Sequence, residues 1–187
     1  SFCRQLPAID GEPRVYWLAV ELAGLSGGLE AIREFVNARQ ETMPLTLAEV
    51  WAVGPMLKIA LIEKLVAGIE APGEDETAVR EAITALRALE LVSWRDFVES
   101  VSLVEKILRE DPSGVYPRMD FETRDAYRHA VEDIARRADL DETGVAELAI
   151  ELAGNSTGRA RHVGYYLVGP GRNTLRKRAG YRPPLAG

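Results

Sequence analysis

No stretch of this chain alternates apolar and polar residues for more than a few positions, whereas apolar residues recur every three or four positions through most of it. A strand half-buried in a sheet needs the first pattern and a helix buried on one side needs the second. The chain is therefore predicted to be all-α, with antiparallel helical hairpins forming a multi-helix bundle. "SWRDFVESVSLVEKILRE" carries the pattern best. Trp94, Phe97, Val98, Val101, Val104 and Leu108 fall at helical spacing, and Ser93 with Asp96 three residues on supplies a cap.

The other helices follow from their start and stop residues. Pro13 opens "RVYWLAVELAG", Gly24 closes it, and "SGG" is the break before "LEAIREFVNARQ". From Thr46, "TLAEVWAVGPMLKIALIEKLVAGI" is the most apolar stretch and the expected central helix, with Gly54 and Pro55 expected to kink or split it. Glu49, Lys58, Glu63 and Lys64 are too many charges for a membrane-spanning helix. "APGEDE" reads as a loop, and "TAVREAITALRAL" as a helix with Val79, Ile83 and Leu86 on one face. "DETGVAELAIELAG" gives a helix ended by Gly154, and "GRNTLRKRAG" a short basic one.

Charge divides the chain unevenly. Residues 1–158 hold 16 basic against 29 acidic groups, while residues 159–187 hold seven basic groups and no acid. This suggests two regions: an acidic helical bundle over 1–158, and a basic segment over 159–187 that packs on the bundle or leads to a membrane helix. Such a segment reads either as an interaction strip for an anionic partner or as a helix docked on the acidic body. Cys3 is the single cysteine, so no intramolecular disulfide is available. The opening "SFCRQLPAIDGEPR" has neither the basic start nor the apolar core of a signal peptide.

The most distinctive stretch is "DPSGVYPRMDFETRDAYRHAVEDIARRA". Asp111-Pro112-Ser113-Gly114 has the residues of a type I turn, which ends the preceding helix. Asp120 is placed as the N-cap of the next, with Glu122 in its first turn. Tyr127, Ala130, Val131, Ile134 and Ala138 form the expected buried stripe, leaving Arg124 and Arg128 on a neighbouring face. Val115, Tyr116 and Met119 put apolar side chains into the connection, either to plug the core between two helices or to line a pocket.

Most catalytic chemistries find no support. Asp139-Leu140-Asp141 has the spacing of a metal-holding pair, but it lies at a helix junction where Asp141 serves as a cap. His129 and His162 are the only histidines, too few for a histidine metal site and a thin basis for a Ser-His-Asp triad. His129 falls beside the buried stripe as a packed or half-exposed residue. Gly169-Pro170-Gly171 precedes an arginine-rich helix start, so Gly171 and Arg172 are candidates for holding an anion, against the simpler reading of a tight turn. Asn155-Ser156-Thr157 is a formal glycosylation sequon in a loop.

The strings "SLVEKILREDPSGVYPRMDFETRDAYRHAVEDIAR", "RHVGYYLVGPGR", "LPAIDGEPRVYWLAVEL" and "LTLAEVWAVGPMLKIALIEKL" resemble the amino-terminal helical region of the cyclic β-1,2-glucan synthases, glycosyltransferase family 84 proteins with a phosphorylase-like carboxy-terminal part. The resemblance spans essentially the whole chain. It implies a parent enzyme of the bacterial inner membrane that polymerises glucose from UDP-glucose, with a divalent metal, on a protein-attached intermediate. In that family the transferase core, its metal-holding aspartates and the membrane helices come after this region, so no catalytic residue, cofactor or metal ligand is expected here.

The expected role is a non-catalytic module on the cytoplasmic face, docking on the transferase and membrane parts of the parent chain or handling β-1,2-glucan. Candidate contacts are Tyr116, Arg118, Asp120, Arg124, His162, Tyr165 and Tyr166. The tyrosines suit sugar stacking or interdomain packing and the arginines suit carboxylate or phosphate partners; the tyrosines also suit half-buried core positions with satisfied hydroxyls. The alternative is a free-standing helical adaptor that binds nucleic acid or an anionic membrane surface through its basic tail, whereas the synthase module expects no nucleic acid.

Overall fold

The computed structural model describes residues 6–25, 27–71 and 76–183. Cys3, Ser26 of the "SGG" break and most of the "APGEDE" loop lie outside the described residues. The chain divides into two compact units, Ser1–Val101 and Ser102–Gly187. Both are helical, and the all-α class holds: ten α-helices occur among the described residues against a two-stranded ladder of two residues per strand.

The first unit opens with that ladder, β1 (Ala8–Ile9) against β2 (Glu12–Pro13). Asp10 and Gly11 between them take φ of 52° and 88°, as the two central residues of a type I′ turn must. Five helices follow: α1 (Arg14–Ala23), α2 (Gly28–Gln40), α3 (Leu47–Glu70), α4 (Glu76–Glu90) and α5 (Trp94–Val101).

Helix α3 is the axis of the unit, packed along α1 and α4. Thr46 starts it with a reciprocal capping box, its hydroxyl accepting from the Glu49 amide while Glu49 accepts from the Thr46 amide. The Glu49 carboxylate is fully buried and held bidentately by Arg14, at 2.8 Å from Nε and 2.6 Å from Nη2. Gly54-Pro55, expected to kink or split the helix, does not split α3, which runs unbroken for 24 residues. The glycine serves packing instead: the Trp94 indole lies 2.9 Å from where a Cβ at position 54 would stand.

The second unit contains α6 (Leu103–Leu108), α7 (Phe121–Ala135), α8 (Glu142–Gly154), α9 (Gly164–Leu167) and α10 (Arg172–Arg178), with single 3₁₀ turns at Tyr116–Arg118 and Gly158–Arg161. Helix α8 packs on α6 and α7, and Val104, Leu108, Val131, Ile134, Val145 and Ala149 fill the centre.

Two expectations are corrected here. "SWRDFVESVSLVEKILRE" is not one helix, because Ser102 takes an extended conformation and its hydroxyl caps the Glu105 amide at 3.2 Å. The apolar spacing continues across the break, but Val101 belongs to the first core and Val104 to the second. The division of the chain lies there, between 101 and 102, rather than at 158/159. Residues 163–179 are an integral part of the second unit, supplying Val163, Tyr166, Leu167, Leu175 and Ala179 to its core. The Asp139 amide donates to the Ala179 carbonyl, and Arg178 and Arg182 pair with Glu151 and Asp139. No helix among the described residues is long and apolar enough to cross a membrane.

Candidate functional site

The turn between α6 and α7 is organised by one carboxylate. Asp111 closes the expected turn, its carbonyl accepting from the Gly114 amide at 2.8 Å. Its buried side chain accepts from the Ser113 hydroxyl at 2.6 Å and from the amides of Val115, Tyr116 and Val163 at 3.0–3.2 Å. His162 Nδ1 lies 2.8 Å from the same group. Burial alone would raise the Asp111 pKa, but the hydrogen bonds from Ser113, Val163, His162 and Tyr116 outweigh it and hold the carboxyl below its usual range. One residue thus ties the turn to the segment that begins the basic region.

A carboxylate at Nδ1 requires the ring proton there. That leaves Nε2 of His162 facing the Tyr127 hydroxyl at 3.3 Å. Asp111, His162 and Tyr127 form the acid, imidazole and hydroxyl sequence of a nucleophilic relay. Its electrostatics point the other way, because burial and the nearby Asp111 charge raise the Tyr127 pKa. Gly164 also seals the pair, since a Cβ there would stand 2.6 Å from His162 Nε2 and collide with the tyrosine hydroxyl. The arrangement is a hydrogen-bonded strut, half-buried at His162 and Tyr127.

Beneath it lies a buried charge cluster that the sequence did not reveal. Glu105 is fully buried and faces Arg128 Nη1 at 2.5 Å, Arg109 Nε at 2.8 Å, Arg124 Nε at 3.4 Å and the donating Tyr116 hydroxyl at 2.7 Å. Arg128, expected on a face neighbouring the buried stripe, is itself fully buried, bonded also to Asp125 and stacked over the Phe121 ring. Burial would lower its pKa, but Asp125 and Glu105 more than offset this and raise it. Burial and the Glu105 charge push the Tyr116 pKa upward. The signal that could have found the cluster is Glu105 four residues after Val101 and three before Leu108 on the apolar stripe, where a charge turned inward must have a partner.

The candidate contacts therefore separate. Tyr116, Arg124 and His162 come together around Glu105 and Asp111, Tyr116 wholly buried with no surface for a sugar and Arg124 and His162 half-buried. Arg124 also donates to the Met119 carbonyl. Asp120 is an exposed N-cap accepting from the Thr123 amide, as expected, and Arg118 is exposed with its Nε on the Gly114 carbonyl. Asp141 likewise caps α8, through the Gly144 amide. Tyr166 is buried with its hydroxyl 2.7 Å from that of Ser156, while Tyr165 is half-buried against it.

The anion reading at Gly171 and Arg172 does not survive in the backbone. The Gly171 amide donates to the Tyr165 carbonyl and the Arg172 amide to the Gly169 carbonyl. Position 171 is glycine because the Tyr165 and Tyr166 rings pack 2.6–2.7 Å from where its Cβ would stand. Among the described residues, no group of three His, Cys, Asp or Glu side chains is placed to hold a metal ion.

The least expected surface is in the first unit. Ile59, Ile62, Val66 and Ile69 of α3 are 44–57% exposed. Their spacing of three, four and three residues puts them in one line, the seam a second helix packs against. At 1.5 Å per residue the line is about 15 Å long. Aligned exposed apolar residues of this kind mark interaction surfaces, whereas scattered ones do not.

No protein-family model matches the chain. Among curated proteins it is 34% identical over 131 residues to the cyclic beta-(1,2)-glucan synthase NdvB of Rhizobium meliloti (strain 1021), a match covering 66% of this chain and 5% of that protein. The chain is thus related to a segment of a cyclic glucan synthase and spans about 5% of the length of the relative it matches.

Proposed function

We propose that this chain is a non-catalytic helical module of a cyclic β-1,2-glucan synthase, and that it docks on the transferase or membrane parts of the parent chain through α3. The exposed Ile59, Ile62, Val66 and Ile69 line carries this reading. A helix this apolar on its outer face is stabilised by covering it. UDP-glucose and a divalent metal belong, on this reading, to the transferase part of the parent, and the module sits on the cytoplasmic face of the bacterial inner membrane. Glucan handling is the weaker half of the proposal, since Tyr116 and Tyr166 are buried and only Tyr165 among the candidate tyrosines is partly open.

Co-expression of this chain with the remainder of the synthase tests the docking role. The two parts should co-purify, and Ile62→Glu with Val66→Glu should abolish the association without lowering the melting temperature of the module. Co-purification that survives both substitutions refutes docking through α3. Binding to DNA or anionic vesicles that collapses with added salt would favour the adaptor reading instead.

A further inference from the structure

On the side of α3 away from the exposed line, the first unit carries a cleft of about 690 Å³ that is partly open to solvent. Leu22 and Leu29 face Leu57 and Leu61 of α3 and Ala85 and Leu89 of α4 across it. A space of this size with aliphatic walls and few polar groups has the dimensions of a small-molecule site, on the order of 300–1,000 Å³.

The cavity is polarised along its length. Helices α3 and α4 run antiparallel, as the pairs Lys64–Glu81 and Lys58–Glu90 require. Lys64, Arg80, Glu81 and Thr84 line one end, and Leu57, Leu89 and Val92 the other. From Arg80 to Leu89 the trough is about 14 Å long at 1.5 Å per residue.

The two cations at the charged end are loosely engaged. Lys64 Nζ lies 3.4 Å from Glu81 and 3.5 Å from the Ala23 carbonyl, and Arg80 lies 4.0 Å from Glu76. Charge-assisted contacts normally close to about 2.7–2.9 Å. These cations also stand against the local trend, since residues 1–101 hold nine basic and sixteen acidic groups. A charged end carrying two cations and one anion, joined to an apolar trough, complements one kind of molecule.

We propose that this cavity binds a long-chain carboxylate of the fatty-acid class, its alkyl chain lying toward Leu57 and Leu89 and its carboxylate between Lys64 and Arg80. Nothing in the chain's kinship or in the docking face of α3 is needed for this, so either can fail without the other.

The test titrates the isotope-labelled 187-residue chain with dodecanoate, dodecanol and dodecyltrimethylammonium, each below its micellar concentration, and follows amide resonances. Dodecanoate should move Leu29, Leu61 and Ala88, dodecanol should bind more weakly, and the cation should not bind there. Lys64→Glu should weaken dodecanoate roughly ten-fold, the loss expected of one charge-assisted contact. Ala85→Phe should fill the trough and abolish binding. Where Ala85→Phe fails to fold, Arg80→Glu, at a well-exposed position, carries the same charge test. The proposal falls if dodecanoate moves none of these resonances, or if all three amphiphiles bind alike. It falls equally if the substitutions change nothing, or if the cavity resonances broaden with protein concentration alone, which would make a second copy the occupant.

Discussion

Replacing Glu105 with alanine should unfold the second unit or bring it close to doing so. Glu105 is fully buried and faces Arg128, Arg124 and Arg109 as well as the Tyr116 hydroxyl, with Arg128 and Tyr116 wholly buried beside it. Removing one partner of a buried ion pair costs about 3–5 kcal/mol, because the other charge stays desolvated. At roughly 0.05–0.15 kcal/mol per residue, a unit spanning Ser102–Gly187 has about 4–13 kcal/mol of stability in total. The loss is thus comparable with the lower end of that range.

The same physics makes a second, sharper forecast. Glu105→Leu combined with Arg128→Met should cost less than either single change, because no buried charge is left without its partner, and the coupling should reach about 2 kcal/mol or more. Urea unfolding reads the magnitude, followed by helical circular dichroism and by amide resonances of each unit separately, with the first unit as internal reference. A cost below about 1 kcal/mol for Glu105→Ala, or single effects that simply add, would refute the account of this cluster as a mutually dependent network.

Other outcomes follow from the same geometry. The folded-state pKa of Asp111 is depressed, so its contribution is present above the ordinary carboxyl pKa of about 3.9 and is lost as pH falls through the lower folded value. Asp111→Asn should cost about 2–3 kcal/mol at neutral pH and flatten the acid limb of the second unit's stability profile; an unchanged limb would contradict it. Gly171→Ala should destabilise the second unit by about 1–3 kcal/mol through collision with Tyr165 and Tyr166, visible as a lower melting temperature; no change would mean that the two rings move aside. Thr46→Ala should cost about 1–2 kcal/mol by opening the capping box of α3, read from urea unfolding of the first unit, and a negligible effect would mean that Arg14 alone holds Glu49.

The helices were legible because each writes its own signal: Thr46, Asp120 and Asp141 cap, Gly24 stops, and apolar residues keep helical spacing. The division of the chain was hidden because the apolar stripe of α5 runs in register into that of α6, and only the local bond between Ser102 and Glu105 separates them. Composition left the basic segment open between a docked helix and an interaction strip, and its buried Val163, Leu167 and Leu175 agree with the docked one. The candidate site was half visible. Tyr116 and His162 both bond to the Asp111 carboxylate, the first wholly buried and the second half-buried, since sequence spacing cannot tell which side of a turn meets the core. Arg128 was missed for the same reason: position on a helical face gives a direction, and burial depends on what another element brings to it.

The junction at residues 101 and 102 has a use in protein engineering. Gln40 Nε2 holds the Val101 carbonyl at 2.8 Å, and the Ser102 hydroxyl holds the start of α6. The boundary is therefore defined to a single peptide bond, with no linker to apportion. A gene cut at that bond leaves each half with its own anchoring contact. The bond between 101 and 102 is therefore the place to cut a gene that expresses the two halves separately.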